Sequence, residues 1–171
     1  MADHTSHGSA ELDKLADLIE GIEIAQLATV RRDGTIHSRP MATQEMQPDG
    51  TLCFLTERDS GKVDEVVERQ HVHLGYSDLR HSRYVSVSGT ASITSSRPLI
   101  RELWTPFARA WFDGPEDPSI VVLQVRIEEA EYWDTPKGGK PIQLLRLATS
   151  AFTGNQRSTS DSGDHGHLDL H

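Results

Sequence analysis

Two hydroxyl side chains and one amine lie close together where an apolar segment of the sequence ends. Thr56, Ser60 and Lys62 follow the apolar run 52–55, whose composition predicts a buried strand. Ser60 is placed to cap a helix that begins near Gly61, and a helix N-terminus offers free backbone N–H groups to an anion. Lys62 in the first helical turn opposes the helix dipole unless an anion lies between the two. The segment predicts a phosphate-binding site, although an ordinary strand-to-helix turn with an exposed Lys62 fits it equally well.

The overall composition narrows the classes of protein in which such a site could occur. The 171 residues include 17 basic and 26 acidic side chains, and the formal charge of −9 argues against a nucleic-acid-binding face. A hydrophobic fraction of 36% is typical of a globular domain. No apolar run approaches the roughly 20 residues of a membrane span. Cys53 is the single cysteine, so an internal disulfide or a cysteine-based metal site is excluded. We expect a cytoplasmic protein without a metal site and without nucleic-acid or membrane partners.

The pattern of short apolar segments predicts a small antiparallel barrel with flanking helices. Six or seven segments of strand character follow one another through turn signals such as the Asp-Gly pairs at 33–34 and 49–50. The first three segments predict a meander that ends at the candidate phosphate site. A doubly wound parallel sheet fits poorly, because regular helices do not separate the strands.

Helical spacing is present in three places before the last strands. It occurs over 12–22, over 61–69 and in a segment that begins at Pro98 and carries Trp104 and Trp111 at a spacing of about two turns. We expect these two tryptophans to lie on one helix face, where packing or a subunit contact explains them better than cofactor binding.

The two ends of the chain differ from the domain between them. Residues 1–8 are polar and predict a flexible N-terminus, and residues 9–153 form the domain, with a last helix beyond Pro141. Residues 154–171 have no periodicity and predict a disordered tail. Histidines in this tail could bind a metal weakly, but a solvated tail is the simpler interpretation.

Three motifs follow one another along the predicted strands. Ser-Arg-Pro-Met at 38–41 lies on the second strand, Thr56, Ser60 and Lys62 follow the third, and Glu-Tyr-Trp at 131–133 begins the last. Together they resemble the FMN-binding split-barrel superfamily of pyridoxamine 5′-phosphate oxidase, and within it the bacterial general stress protein branch. The resemblance implies a mainly β (α+β) fold, a six- to seven-stranded antiparallel split β-barrel with flanking helices.

The same resemblance implies a site for the FMN phosphate. Arg39 and Lys62 would bring positive charge to the phosphate oxygens, and Thr56 and Ser60 would donate hydroxyl hydrogen bonds. A surface salt bridge is the alternative role for Arg39.

The flavin ring would lie along neighbouring strand residues. Pro40 and Met41 would face the isoalloxazine, and strand backbone at Met41, Phe54 or Leu55 could bond its pyrimidine edge. Plain core packing explains Met41 and Phe54 equally well. Trp133 would lie beside the flavin of the partner subunit.

The implied function is that of a homodimeric flavoprotein with FMN, or FAD as the other compatible flavin, at the subunit interface. It would be an oxidoreductase that acts on a small molecule or accepts electrons from a nicotinamide donor. A non-catalytic flavin-binding or redox stress-sensing protein is the alternative, and no catalytic residue is assigned. Oxidation of pyridoxamine phosphate itself is not expected. Gln44 stands where the oxidase has lysine, and the oxidase's Arg-x-His ending is absent.

Overall fold

A computed structural model describes the backbone of residues 4–134 and 164–169, and the side chains of residues 10–134. Its strands are β1 (Ile24–Val30), β2 (Ile36–Ala42), β3 (Leu52–Glu57), β4 (His71–Asp78), β5 (Arg83–Thr94), β6 (Ile120–Asp134) and β7 (Asp164–Asp169). Its helices are α1 (His4–Ile19), α2 (Gly61–Glu68), α3 (Arg97–Glu102) and a 3-10 helix (Pro106–Ala110). None of these helices is long and apolar enough to cross a membrane.

The strands form one antiparallel sheet in the order β2-β1-β4-β5-β6-β3, and β7 pairs with β6. Alternation along β1 and β4 buries Leu27 and Leu74 completely in the main core, which also includes Leu15 of α1. A second apolar cluster lies on the other face of β3 and β6 and includes Cys53 and Ile100. The mainly β, antiparallel split barrel with flanking helices is thereby confirmed.

The predicted three-strand meander is wrong in its last step. The Asp-Gly turn does join β1 and β2 as a hairpin, with Gly34 at φ +86. However, β3 pairs with β6, where Phe54 lies opposite Leu123 and Leu55 opposite Val122. The reason is that β3 is apolar on both faces and needs a buried position between the two clusters, which the half-exposed strand β2 does not offer.

Strand β6 is a single strand of 15 residues, so Glu-Tyr-Trp at 131–133 lies near its end and does not begin a strand of its own. It pairs with β5 from Tyr84 to Thr94, and the register shifts between Ser88 and Gly89. A Cβ atom at position 89 would lie 2.3 Å from the carbonyl oxygen of Arg126, so the shift requires glycine.

The predicted continuous helix from Pro98 through Trp111 is also wrong. It ends at Glu102, and a separate 3-10 helix begins at Pro106. Thr105 is extended (φ −119, ψ 158) because a residue before proline disfavours the helical region. Trp104 and Trp111 therefore do not share one helix face.

Regular backbone structure extends into both chain ends where the structure describes them. Helix α1 begins at His4, within the stretch 1–8. In the tail, Asp164–Asp169 forms a strand against residues 129–134 of β6. Ladder hydrogen bonds from the backbone need no apolar periodicity, which explains why the sequence pattern did not reveal it. The helix expected beyond Pro141 lies outside the described residues.

The bulge at Gly89 allows a stability test. We expect Gly89→Ala to lower the free energy of unfolding by about 1–3 kcal/mol, because the new methyl group would meet the Arg126 carbonyl oxygen. Gly75→Ala in β4 is the matched control, since the nearest atom to its Cβ would be His73 Cε1 at 3.8 Å. Urea denaturation of both variants measures the effect, and equal stability of the two would contradict this account of the bulge.

Candidate functional site

A cavity of about 390 Å³ lies between the two outer strands β2 and β3, and the segment from Thr105 to Phe112 forms part of its wall. The strands meet here without a shared ladder, because β2 pairs only with β1 and β3 only with β6 among the described residues. The cavity is lined by Ile24, Pro40, Met41, Ala42, Gln44, Leu55, Thr56, Glu57, Lys62, Thr105, Phe107, Ala108, Trp111 and Phe112. Its size is within the range of small-ligand sites.

Lys62 and Thr56 form the polar end of this cavity. The Lys62 ammonium donates a hydrogen bond of 2.9 Å to Thr56 Oγ1, and the threonine is 4% exposed. Burial and the nearby positive charge of Arg39 lower the pKa of Lys62, against the opposing effect of Glu57 and Glu65. A partly desolvated ammonium gains more from a bound anion than a solvated one does. This end of the cavity therefore suits a phosphate or another anion.

Arg39 lies close by but is engaged by protein groups. Its guanidinium donates to Glu65 Oε2 and to Thr29 Oγ1, both at 2.5 Å, and it lies 2.6 Å from His37 Nδ1. The two ion-paired side chains are only 13% and 14% exposed, and Arg31 approaches the same carboxylate at 3.5 Å. The structure thus places Arg39 in the ion pair that the sequence left open as its alternative role, beside the cavity rather than in its lining.

The same network holds Glu65 ionised. Burial favours the neutral acid, but hydrogen bonds from Thr29 and Arg39 and the positive charge of Arg39 outweigh it and lower the pKa of the carboxyl. Helix α2 is tied to the β1–β2 hairpin through this carboxylate. Lys62, one turn earlier on α2, is thereby positioned as well.

The remaining predicted residues divide between the cavity and its surroundings. Pro40, Met41 and Leu55 line it, whereas Phe54 is 1% exposed and belongs to the main core. Ser60 is the N-cap residue of α2 as predicted, but its hydroxyl donates to the carbonyl oxygen of Glu57 at 2.7 Å.

Trp133 lies far along β6 from the cavity. Leu55 is opposite Val122 on β6, and Trp133 is opposite Tyr84 eleven residues further on. That separation is roughly 35 Å of strand at about 3.3 Å per residue. Trp133 is not among the residues that line the cavity, and a flavin of the partner subunit remains its predicted neighbour.

Phe107 and Trp111 are cavity residues that sequence reasoning did not assign to the site. They are 54% and 63% exposed, and their rings meet edge to face with centroids 4.7 Å apart. The available signal in the sequence was Pro106. A residue before proline disfavours the helical region, so the helix has to end before Pro106 and the segment that carries both rings can turn toward β2 and β3.

A second cavity, of about 530 Å³, is lined by acidic side chains and has no counterpart to Lys62 among its described lining. It lies where α1 ends, and acidic side chains of Asp17, Glu20, Glu23 and Glu45 are among those that line it, with no basic residue among its described lining. An anionic ligand would be repelled there, so charge distinguishes the two cavities.

Comparison with known proteins agrees with this geometry. A family model described as pyridoxamine 5′-phosphate oxidase like matches residues 10–158. The chain is 33% identical over 120 residues to General stress protein 26 of Bacillus subtilis, covering 68% of this chain and 83% of that protein. It is also 34% identical over 111 residues to Protein bli-3 of Neurospora crassa, covering 59% of this chain. The match spans 53%, about half, of the length of the Neurospora protein.

Solved structures show the same similarity. General stress protein 26 from Bacillus anthracis is 27% identical with a TM-score of 0.63, covering 71% of this chain and 92% of that one. The general stress FMN/FAD binding protein from Xanthomonas citri is 25% identical with a TM-score of 0.63, covering 73% of this chain and 89% of that one.

The Glu65 network gives a pH-dependent prediction. We expect Glu65→Gln to lower the free energy of unfolding at pH 7 by about 1–3 kcal/mol, because Arg39 loses its charged acceptor. The pKa of Glu65 is lower in the folded state than its ordinary value of 4.5, so the stabilisation is present above pH 4.5 and is lost as pH falls through the folded value. The difference between variant and wild type should therefore shrink in acid, as followed by urea midpoints against pH.

Glu68→Gln is the matched control on the same helix. Glu68 pairs with Arg32, whose side chain is 87% exposed, so we expect a much smaller change. Equal losses in the two variants at neutral pH would show that the buried network has no special role.

Proposed function

Because the chain belongs to the pyridoxamine 5′-phosphate oxidase-like family, we propose that it binds FMN in the cavity between β2 and β3. The observation that carries this proposal is the Lys62–Thr56 pair, a half-buried ammonium and a buried hydroxyl at one end of an otherwise largely apolar cavity. Lys62 and Thr56 would hold the phosphate. Pro40, Met41 and Leu55 would lie along the ring system.

The donor set fits a phosphorylated planar cofactor. Lys62 is the one cation among the described residues that line the cavity, and the negative charge of a phosphate beside it would oppose the burial that lowers its pKa. Arg39 would add positive potential from behind the cavity wall while remaining bound to Glu65. The relative from Xanthomonas citri is described as an FMN/FAD binding protein, which supports a flavin in preference to other anionic ligands.

The proposed activity is that of a flavin-dependent oxidoreductase of the general stress protein 26 type. A bound flavin supplies hydride or electron transfer, and the protein contributes binding, orientation and exclusion of water. Ionisable groups lining the cavity within the described residues are Lys62 and Glu57, and the exposed Glu57 is placed at the same end as Lys62. No catalytic acid or base is assigned to either.

A non-catalytic flavin-binding or redox-sensing protein would use the same cavity. Anaerobic addition of NADH or NADPH to the flavin-loaded protein separates the two functions. Bleaching of the flavin followed by reoxidation with air or a quinone, through many cycles, supports the oxidoreductase. Tightly bound flavin without turnover supports the binding protein.

The proposed assembly is a cytoplasmic homodimer with flavin at the subunit interface. Ile24 is exposed at the cavity and offers apolar surface that a second subunit could cover. Trp133, outside the cavity of its own chain, would approach the flavin of the other subunit.

The phosphate assignment makes a ligand-specific prediction. We expect Lys62→Met to weaken FMN binding by about 10- to 150-fold, the equivalent of one lost charge-assisted hydrogen bond, and to leave riboflavin binding unchanged. Flavin titrations by calorimetry measure both affinities. Arg58→Gln is the control, because Arg58 is exposed in the same loop and donates to the Pro118 carbonyl oxygen. Equal loss for FMN and riboflavin would contradict the placement of the phosphate at Lys62.

A further inference from the structure

We infer that Phe107 and Trp111 form an aromatic wall that stacks against the planar ring of the cavity's ligand. This inference rests on the proposed function and adds to it the residues that recognise the ring. Both side chains belong to the 3-10 helix or its C-cap, and both line the same cavity as Lys62 and Thr56.

The exposure of the two rings is consistent with a ligand that covers them. Large aromatic side chains ordinarily bury most of their surface, yet these two are 54% and 63% exposed side by side. Neighbouring residues of the segment are anchored: Ala108 is 6% exposed, and Phe112 packs against the cluster that contains Ile100. The segment is therefore held to the barrel while its two aromatic rings remain beside the cavity.

The edge-to-face contact gives the wall a defined orientation. The planes of Phe107 and Trp111 meet at 61°, so each ring limits the rotation of the other. One ring face can then receive a planar ligand without first losing rotamer freedom, which favours binding through preorganisation.

Charge and shape together specify the class of ligand. The cavity has an ammonium and a hydroxyl at Lys62 and Thr56, and aromatic rings elsewhere on its wall. A planar aromatic molecule that carries an anionic group, such as a flavin mononucleotide, matches both features. A linear phosphorylated compound would use only the first.

The wall and the phosphate end should respond differently to ligand truncation. We expect Trp111→Ala to weaken FMN and riboflavin equally, by about 2- to 12-fold, because both ligands carry the same ring. Lys62→Met should affect FMN alone. Trp104→Phe is the control, since Trp104 packs against the second apolar cluster and is not among the cavity residues.

Flavin fluorescence, measured after unbound flavin is removed by gel filtration, reports whether the bound ring contacts an indole. An indole in contact with a flavin quenches its emission by electron transfer, so wild-type protein should bind FMN in a dark form. The variants are compared in a Trp133→Phe background, because Trp133 is proposed to lie beside the flavin of the other subunit and would also quench it. In that background Trp111→Phe, which keeps an aromatic ring and is expected to fold if Trp111→Ala does not, should retain most of the affinity and recover emission. Trp104→Phe in the same background should leave the bound flavin dark.

The outcomes separate this inference from the proposed function. Failure of the wild-type protein to bind any flavin would overturn both. Tight FMN binding with Lys62-dependent affinity, but with unchanged affinity and emission in the Trp111 variants, would overturn the aromatic wall alone. If Trp111→Ala altered only the elution volume in size-exclusion chromatography, the aromatic pair would be a subunit contact and the inference would be wrong.

Discussion

The length of β6 is the constraint from which the architecture follows. This strand of 15 residues bonds β5 along one edge, and its other edge is divided between β3 at residues 120–125 and β7 at residues 129–134. The ladder can run this far because the register shift at Gly89 lets the two strands bend without a steric conflict at the Arg126 carbonyl.

The candidate site exists because the sheet does not close between β2 and β3. Because β3 joins β6, the strands β2 and β3 become the two ends of the six-stranded path and face each other without pairing. Pro40 in β2 is consistent with this position, since it has no N–H to offer a neighbouring strand. The gap between the two edges is the cavity, and the segment after α3 covers part of it because Pro106 redirects the chain.

The two basic residues near the site have different partners, and this gives Arg39 a structural role and leaves Lys62 for binding. Arg39 is held by Glu65, Thr29 and His37, and this network attaches α2 to the first hairpin. The ammonium of Lys62 is partly desolvated, and it donates a hydrogen bond to the neutral hydroxyl of Thr56. Removal of either charge from the buried Arg39–Glu65 pair would be destabilising, whereas an ammonium that donates to the neutral hydroxyl of Thr56 retains the capacity to bind an anion. The network therefore supports the site without occupying it.

Signals that span only a few residues of the sequence predicted several elements of this fold. Short segments of strand character between turn signals predicted the strands, the Asp-Gly pair identified the first hairpin, and Thr56, Ser60 and Lys62 marked the strand-to-helix turn, because these signals depend on neighbours within a few residues. Tertiary structure alone decided that β3 pairs with β6, that Arg39 is taken by Glu65, and that Phe107 and Trp111 border the cavity. Each of these depends on which segments distant in the sequence come into contact. The residues next to a charged or aromatic side chain in the sequence do not contain that information.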